Sequence, residues 1–131
     1  LSWGRAGHPP ARVYDPAVER LRELKGSGIP LGVEESFVYE SNVDREIGPG
    51  QVVVIGTDGV WESVDRNGTP YGMERFCTVI RENARSAAQD ILDAVYADIK
   101  AFALGARQPD DITLVVAKLQ EGTPETADWA I

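Results

Sequence analysis

The clearest pattern in the chain is a β-branched run, Gln51-Val52-Val53-Val54-Ile55-Gly56-Thr57, framed by Pro49-Gly50 before it and Asp58-Gly59 after it. An unbroken apolar stretch of this length predicts a central strand buried on both faces. A second such run, Ile112 to Leu119, predicts the last strand. Between them the period changes. Met73, Phe76, Cys77 and Ile80 recur at helical spacing, and Ile91, Leu92, Val95, Ile99 and Phe102 form one apolar stripe. Ser86 and Gln89 stand three apart ahead of that stripe, a capping-box pattern, and Gly105 supplies a stop.

The first half is punctuated more densely. Leu1 to Ala6 alternates apolar and polar residues, and Gly7-His8-Pro9-Pro10 makes a turn because two prolines remove two ladder donors. Ala11–Tyr14 and Phe37–Val43 predict further strands, and Val18–Leu24 reads as another although Val18, Leu21 and Leu24 also fit a helical turn, with Asp15-Pro16 and Gly28–Val33 as turn and loop. Strands crowded into one half and helices into the other predict an α+β domain. The chain opens without Met on a strand-like alternation, so a piece of a longer protein is expected.

Composition narrows the partners. With 131 residues and 43% hydrophobic content the chain suits one domain, residues 1–119, followed by an acidic tail, 120–131, whose Trp129 and Ile131 are candidates to dock. The net charge of −8 argues against nucleic acid as a partner, since phosphate binding needs clustered Lys and Arg. No stretch is apolar enough to predict membrane contact. The single cysteine, Cys77, excludes an internal disulfide framework and suits the reducing cytoplasm. The acidic excess is central: residues 34–66 carry eight Asp and Glu against two Arg.

Two acidic positions carry candidate chemistry. Asp58 stands where a buried strand meets Gly59, so its carboxylate projects from the strand's carboxyl end; the plain alternative is a turn former or helix cap. Asp110-Asp111 immediately precedes the last strand, and two adjacent carboxylates repel unless exposed or bound to a cation. If the two strands are neighbours, Asp58, Asp110 and Asp111 converge as an all-oxygen site for a hard cation, Mg²⁺ or Mn²⁺. His8 and Cys77 read as turn and core residues, as do the aromatics Trp3, Trp61, Phe76 and Phe102 as core. Arg5, Arg12, Arg20 and Arg22 read as solvated strand edges rather than as a phosphate-binding set.

Read in order, Ala6-Gly7-His8-Pro9-Pro10, Gly28-Ile29-Pro30-Leu31-Gly32-Val33, Pro49-Gly50-Gln51, Thr57-Asp58-Gly59-Val60-Trp61-Glu62, Tyr71-Gly72-Met73-Glu74-Arg75-Phe76 and Asp110-Asp111-Ile112-Thr113-Leu114-Val115-Val116 form a set. Together they resemble the SpoIIE-like branch of the metal-dependent protein phosphatases, relatives of the type 2C serine/threonine phosphatases. The resemblance spans residues 1–119. It implies an antiparallel β-sandwich flanked by helices, incomplete at its N-terminus, with a two-metal site at one end of the sheets.

By the same resemblance Asp58 and Asp110 are metal ligands, Asp111 an adjacent or alternate one, and Gly59 the residue that permits close packing at the metal end. Glu62 receives no ligand role. Gln51 stands where relatives usually have Asp, and Gly56 where they tend to have a larger residue. The family's bridging aspartate, in a Gly-Asp-x-x-Gly-His-Gly segment, falls upstream of the matched region. The implied function is Mn²⁺- or Mg²⁺-dependent dephosphorylation of phosphoserine or phosphothreonine on a regulatory protein, an anti-sigma-factor antagonist, under an upstream sensor domain. A sheet edge left open also makes a homodimer an expectation. The competing expectation is a phosphatase-like module that lacks a complete site and binds a protein partner.

Overall fold

The computed structural model describes residues 1–120, and the tail beyond them, with Trp129 and Ile131, lies outside the described residues. The elements follow in the order β1 (Ser2–Trp3), β2 (Arg12–Asp15), β3 (Arg20–Glu23), β4 (Asn42–Val43), β5 (Val52–Gly56), a 3₁₀ turn (Asp58–Val60), α1 (Met73–Asn83), α2 (Ala88–Ala103) and β6 (Leu114–Lys118). Four strands form one sheet in the order β3-β2-β5-β6, and β1 pairs with β4 in a two-stranded ribbon. All of these pairings are antiparallel. Among the described residues, no helix is long and apolar enough to cross a membrane.

Strand alternation decides what the sheet buries. The register sets Tyr14 opposite Val52, and Val54 opposite Val116, so these side chains share one face. That face meets the helices, where Phe76, Ile80, Ile91, Val95 and Ile99 close the core. The opposite face carries Val13, Val53, Ile55, Val115 and Ala117. There the segment Leu1–Ala11 crosses the sheet and encloses, with Val53, Ile55, Ala117 and Leu119, a cleft of about 500 Å³.

This asymmetry corrects the expectation that β5 is buried on both faces. Val52 and Val54 are buried, while Ile55 keeps 40% of its surface exposed and its neighbour Val115 51%. An apolar run therefore marked a central strand but not its coverage. The run Phe37–Val43 is a second correction, since only Asn42–Val43 pairs. Its alternation serves loop packing instead: Phe37 and Tyr39 stack edge-on at 4.9 Å, and the Tyr39 hydroxyl donates to the Ile29 carbonyl at 3.1 Å.

The helices fall where their periods placed them, with one change at the start of α2. Ser86 is used to close α1, its N–H donating to the Asn83 carbonyl at 2.9 Å and its own carbonyl accepting from Lys118 Nζ at 2.7 Å. Capping passes one residue on, where the Asp90 carboxylate accepts the Ala87 N–H at 3.2 Å, while Gln89 bonds Asp93 instead. Lys118 also accepts a place at Ala84, donating to its carbonyl at 3.0 Å, so β6 caps the C-terminus of α1. The helix α2 ends on Leu104 and Gly105, both at positive φ, as the Gly105 stop requires.

The arginines are not a solvated set. Arg12 is buried, paired to Glu23 at 2.9 Å, and lies 5.3 Å over the Trp61 ring; Arg22 pairs with Asp44, and Arg5 donates to the His8 and Gly26 carbonyls. Of the four, Arg20 is exposed, whereas the other three meet carboxylates and carbonyls of other segments. His8 is exposed in its turn, with Nδ1 2.9 Å from the Pro9 carbonyl. Cys77 is buried in α1, and Phe76 is nearly inaccessible, as expected of core residues; Trp3, Trp61 and Phe102 are half-buried.

Candidate metal centre

The site forms where β5 ends beside the start of β6. The two strands pair from Val52–Lys118 to Gly56–Leu114, and the ladder continues one step further through Thr57, whose N–H donates to the Thr113 carbonyl at 3.0 Å. The Thr57 hydroxyl then accepts the Thr113 N–H at 3.0 Å and donates to the Asp111 carbonyl at 3.3 Å. One side chain so holds two backbone groups of the acidic loop. Without it both would be left to solvent.

Gly59 brings the loops into contact. A Cβ at this buried position would fall 2.3 Å from the Asp111 carbonyl oxygen and 3.7 Å from the Asp110 carbonyl carbon. No side chain fits there. The absence of a Cβ thus lets the turn carrying Asp58 lie against the Asp110–Asp111 peptide, as the resemblance implied for Gly59. Asp58 opens the 3₁₀ turn, and its Oδ1 accepts the Gly59 N–H at 3.1 Å. Asp110 makes the matching bond to the Asp111 N–H at 2.7 Å.

The three carboxylates Asp58, Asp110 and Asp111 are exposed at this end of the sheet. Each local bond occupies one oxygen of Asp58 and of Asp110, and leaves the rest of the donor set to solvent. All-oxygen, anionic and unencumbered donors fit a hard divalent cation. The structure brings their backbones together but gathers no group of three or more His, Cys, Asp or Glu side chains close enough to hold a metal among the described residues. Glu62 is exposed and contributes its N–H to the Asp58 carbonyl at 2.9 Å, which is a turn role.

Supporting residues that sequence reasoning missed surround this end. Ser63 is fully buried and donates its hydroxyl to the Gly59 carbonyl at 2.7 Å. Asp65 organises the next turn by accepting the Asn67 and Thr69 N–H groups at 2.8 Å, and the Thr69 bond first of all holds its carboxyl below the usual range. Trp61 packs on Phe76, ring centroids 6.2 Å apart. Gln51, buried at the other end of β5, donates to Asp15 Oδ2 at 2.8 Å and to the Glu46 carbonyl at 3.2 Å, so the residue at this turn is a local fastener.

This arrangement of antiparallel sheet, paired helices and acidic strand ends is the fold of a PP2C-type phosphatase domain. The SiaA-PP2C domain of Pseudomonas aeruginosa superposes with a TM-score of 0.70 and 24% identity, over 85% of this chain and 43% of that one. The PP2C phosphatase domain of SpoIIE from Bacillus subtilis does so with a TM-score of 0.70 and 16% identity, over 93% and 34%. The chain belongs to the SpoIIE family, Stage II sporulation protein E, whose family model matches residues 1–120.

Among curated proteins it is 27% identical over 120 residues to the phosphoserine phosphatase RsbU of Bacillus subtilis, covering 90% of this chain and 34% of RsbU. It is 26% identical over 111 residues to stage II sporulation protein E of Priestia megaterium, covering 82% and 18%. The chain therefore spans about a third of the length of RsbU and less than a fifth of the Priestia protein.

Proposed function

We propose that this chain carries the Asp58 and Asp110 ligands of a Mn²⁺- or Mg²⁺-dependent phosphatase that hydrolyses phosphoserine or phosphothreonine on a regulatory protein. The observation that carries the reading is the contact between the Gly59 turn and the Asp110–Asp111 peptide, which joins two acidic sequences at adjoining strand ends within a SpoIIE-family fold. Asp58 and Asp110 hold the cation, with Asp111 adjacent or alternate. Thr57 and Gly59 keep their loops in register. A pair of such cations would supply a deprotonated water at neutral pH and positive charge against the phosphoryl oxygens. By the family resemblance, a carboxylate from an upstream Gly-Asp-x-x-Gly-His-Gly segment would complete the ligand set.

The name of the relative RsbU, a phosphoserine phosphatase, supports the reaction class. A phosphorylated anti-sigma-factor antagonist in bacterial stress or sporulation signalling is the substrate type, acted on in the cytoplasm under an upstream sensor domain. A second reading, a binding module with the phosphatase fold, draws on the lack of a gathered three-ligand cluster among the described residues.

Asp58→Asn in the full-length protein tests the choice, because it removes a ligand charge with little change of volume. The expected result is loss of Mn²⁺-dependent phosphate release from a phosphoserine peptide by orders of magnitude, with an unchanged circular dichroism spectrum. Metal-dependent turnover retained by a well-folded variant overturns the role of Asp58.

A further inference from the structure

Asp110 and Asp111 lie in an irregular stretch between the end of α2 at Ala103 and the start of β6 at Leu114. The last part of it is held by Thr57, as described. The part before the carboxylates is held by a different residue. Gln108 Oε1 accepts the Val64 N–H at 3.0 Å, and Gln108 Nε2 donates to the Val64 carbonyl at 3.3 Å and to the Ala106 carbonyl at 3.1 Å. One carboxamide thus pairs with both backbone groups of a residue 44 positions away, in the manner of a strand neighbour.

Val64 belongs to the segment that carries Asp58. Its neighbour Ser63 is fully buried, donates its hydroxyl to the Gly59 carbonyl at 2.7 Å, and accepts the Tyr71 N–H at its own carbonyl at 2.7 Å. Val64 is itself bridged to Pro70. The path from Asp110 through Pro109 and Gln108 to Val64, Ser63, Gly59 and Asp58 is therefore continuous, and it runs through two buried residues, Ser63 and Gly59. A second stitch, from Arg66 Nε to the Leu104 carbonyl at 2.8 Å, ties the root of the same loop to the same segment.

We propose that Gln108 is a positioning residue for the carboxylate site: by pairing with both backbone groups of Val64, it sets the loop bearing Asp110 and Asp111 against the turn bearing Asp58. This rests on the reading of those aspartates as cation ligands. The residue type follows from the geometry, which asks for one donor and one acceptor on a single planar group at this reach. Glu at neutral pH offers two acceptors, Met has no donor and only a weak sulfur acceptor, and Asn carries both groups on a stem one methylene shorter.

The test compares wild type, Gln108→Met and Gln108→Asn in the full-length protein. Hydrogen exchange without metal reads the loop directly: faster exchange at Val64 and over residues 110–113, with β5 and α2 unchanged, is expected in Gln108→Met, and less so in Gln108→Asn. Mn²⁺ affinity, read by electron paramagnetic resonance, is expected to fall about 10–100-fold, the usual effect of removing a residue that orients ligands. A purely structural role lowers the melting temperature of the metal-free protein and leaves Mn²⁺ affinity unchanged, and that result overturns the proposal. Asp58→Asn separates the readings: binding that it leaves intact overturns the cation site itself, whereas binding lost in Asp58→Asn but unchanged in Gln108→Met overturns only the role of Gln108.

Discussion

Thr57 and Thr113 are joined twice, by a backbone bond from Thr57 N–H to the Thr113 carbonyl and by the Thr113 N–H on the Thr57 hydroxyl, both at 3.0 Å. The same hydroxyl reaches the Asp111 carbonyl, so the residue before Asp58 grips the residues after Asp110. Thr57→Val keeps the shape and removes the hydroxyl, leaving Thr113 N–H without its partner. The bond is exposed, so water replaces the partner and a loss of about 0.5–1.5 kcal/mol is expected by urea denaturation, with Thr57→Ser close to wild type. Equal stability of the Val and Ser variants would show that the hydroxyl does not hold the loop.

Gly59→Ala introduces a Cβ 2.3 Å from the Asp111 carbonyl oxygen, a contact that forces backbone apart because the Cβ is fixed to its Cα and the atom it meets is main chain. Destabilisation of about 1–3 kcal/mol is expected, with loss of metal-dependent phosphate release in the full-length protein. Gly48→Ala is the control for an added methyl, since nothing lies within 4 Å of its Cβ position and its φ is not in the left-handed region.

Asp98 joins α2 to the start of α1 through Arg75 Nε at 2.7 Å, Arg75 Nη2 at 2.8 Å and the Tyr71 hydroxyl at 2.6 Å. The Arg75 bond is the main cause that holds its carboxyl below the ordinary value of 3.8, with Tyr71 adding to it. A lowered folded-state value means the ionised acid stabilises the fold above the unfolded value, and that contribution fades as pH falls through the folded one. Asp98→Asn is therefore expected to lower stability near neutral pH and to flatten its decline below about pH 4, measured by denaturation across pH. An unchanged acid profile would remove the clamp from the account.

Tyr71 shows the opposite sign on the alkaline side. Burial first, and then the Asp98 carboxylate, push its phenol well above the ordinary 10.0. Its contribution is complete below that value and is lost as pH rises through the folded one. Ultraviolet titration is expected to show a phenol that stays protonated at pH 11 in the native protein and that disappears from the curve in Tyr71→Phe.

Cys77 is buried on the core side of α1, and burial raises its thiol above the ordinary value. Native protein is expected to react with a disulfide reagent at least about tenfold more slowly than protein in urea. Rapid labelling of native protein would place this face of α1 in solvent.

Much of this fold was legible because its determinants are local. Periodicity over a few residues located β5, β6, α1 and α2, and the Gly105 stop and the Pro49-Gly50 turn follow from backbone freedom at single positions. Ordered motifs carried the family, and the acidic pairs at strand ends marked the candidate ligands Asp58, Asp110 and Asp111. Tertiary structure alone decided which face of β5 is covered, because burial depends on what crosses the sheet, here Leu1–Ala11 on one side and two helices on the other. It also decided that Arg12 is buried against Glu23 and Trp61, that Ser86 closes α1 rather than capping α2, and that Thr57 and Gln108 stitch together loops more than forty residues apart. Bonds of that kind join a side chain to a distant backbone group, whose N–H and C=O are the same at every residue, so no residue pattern announces them.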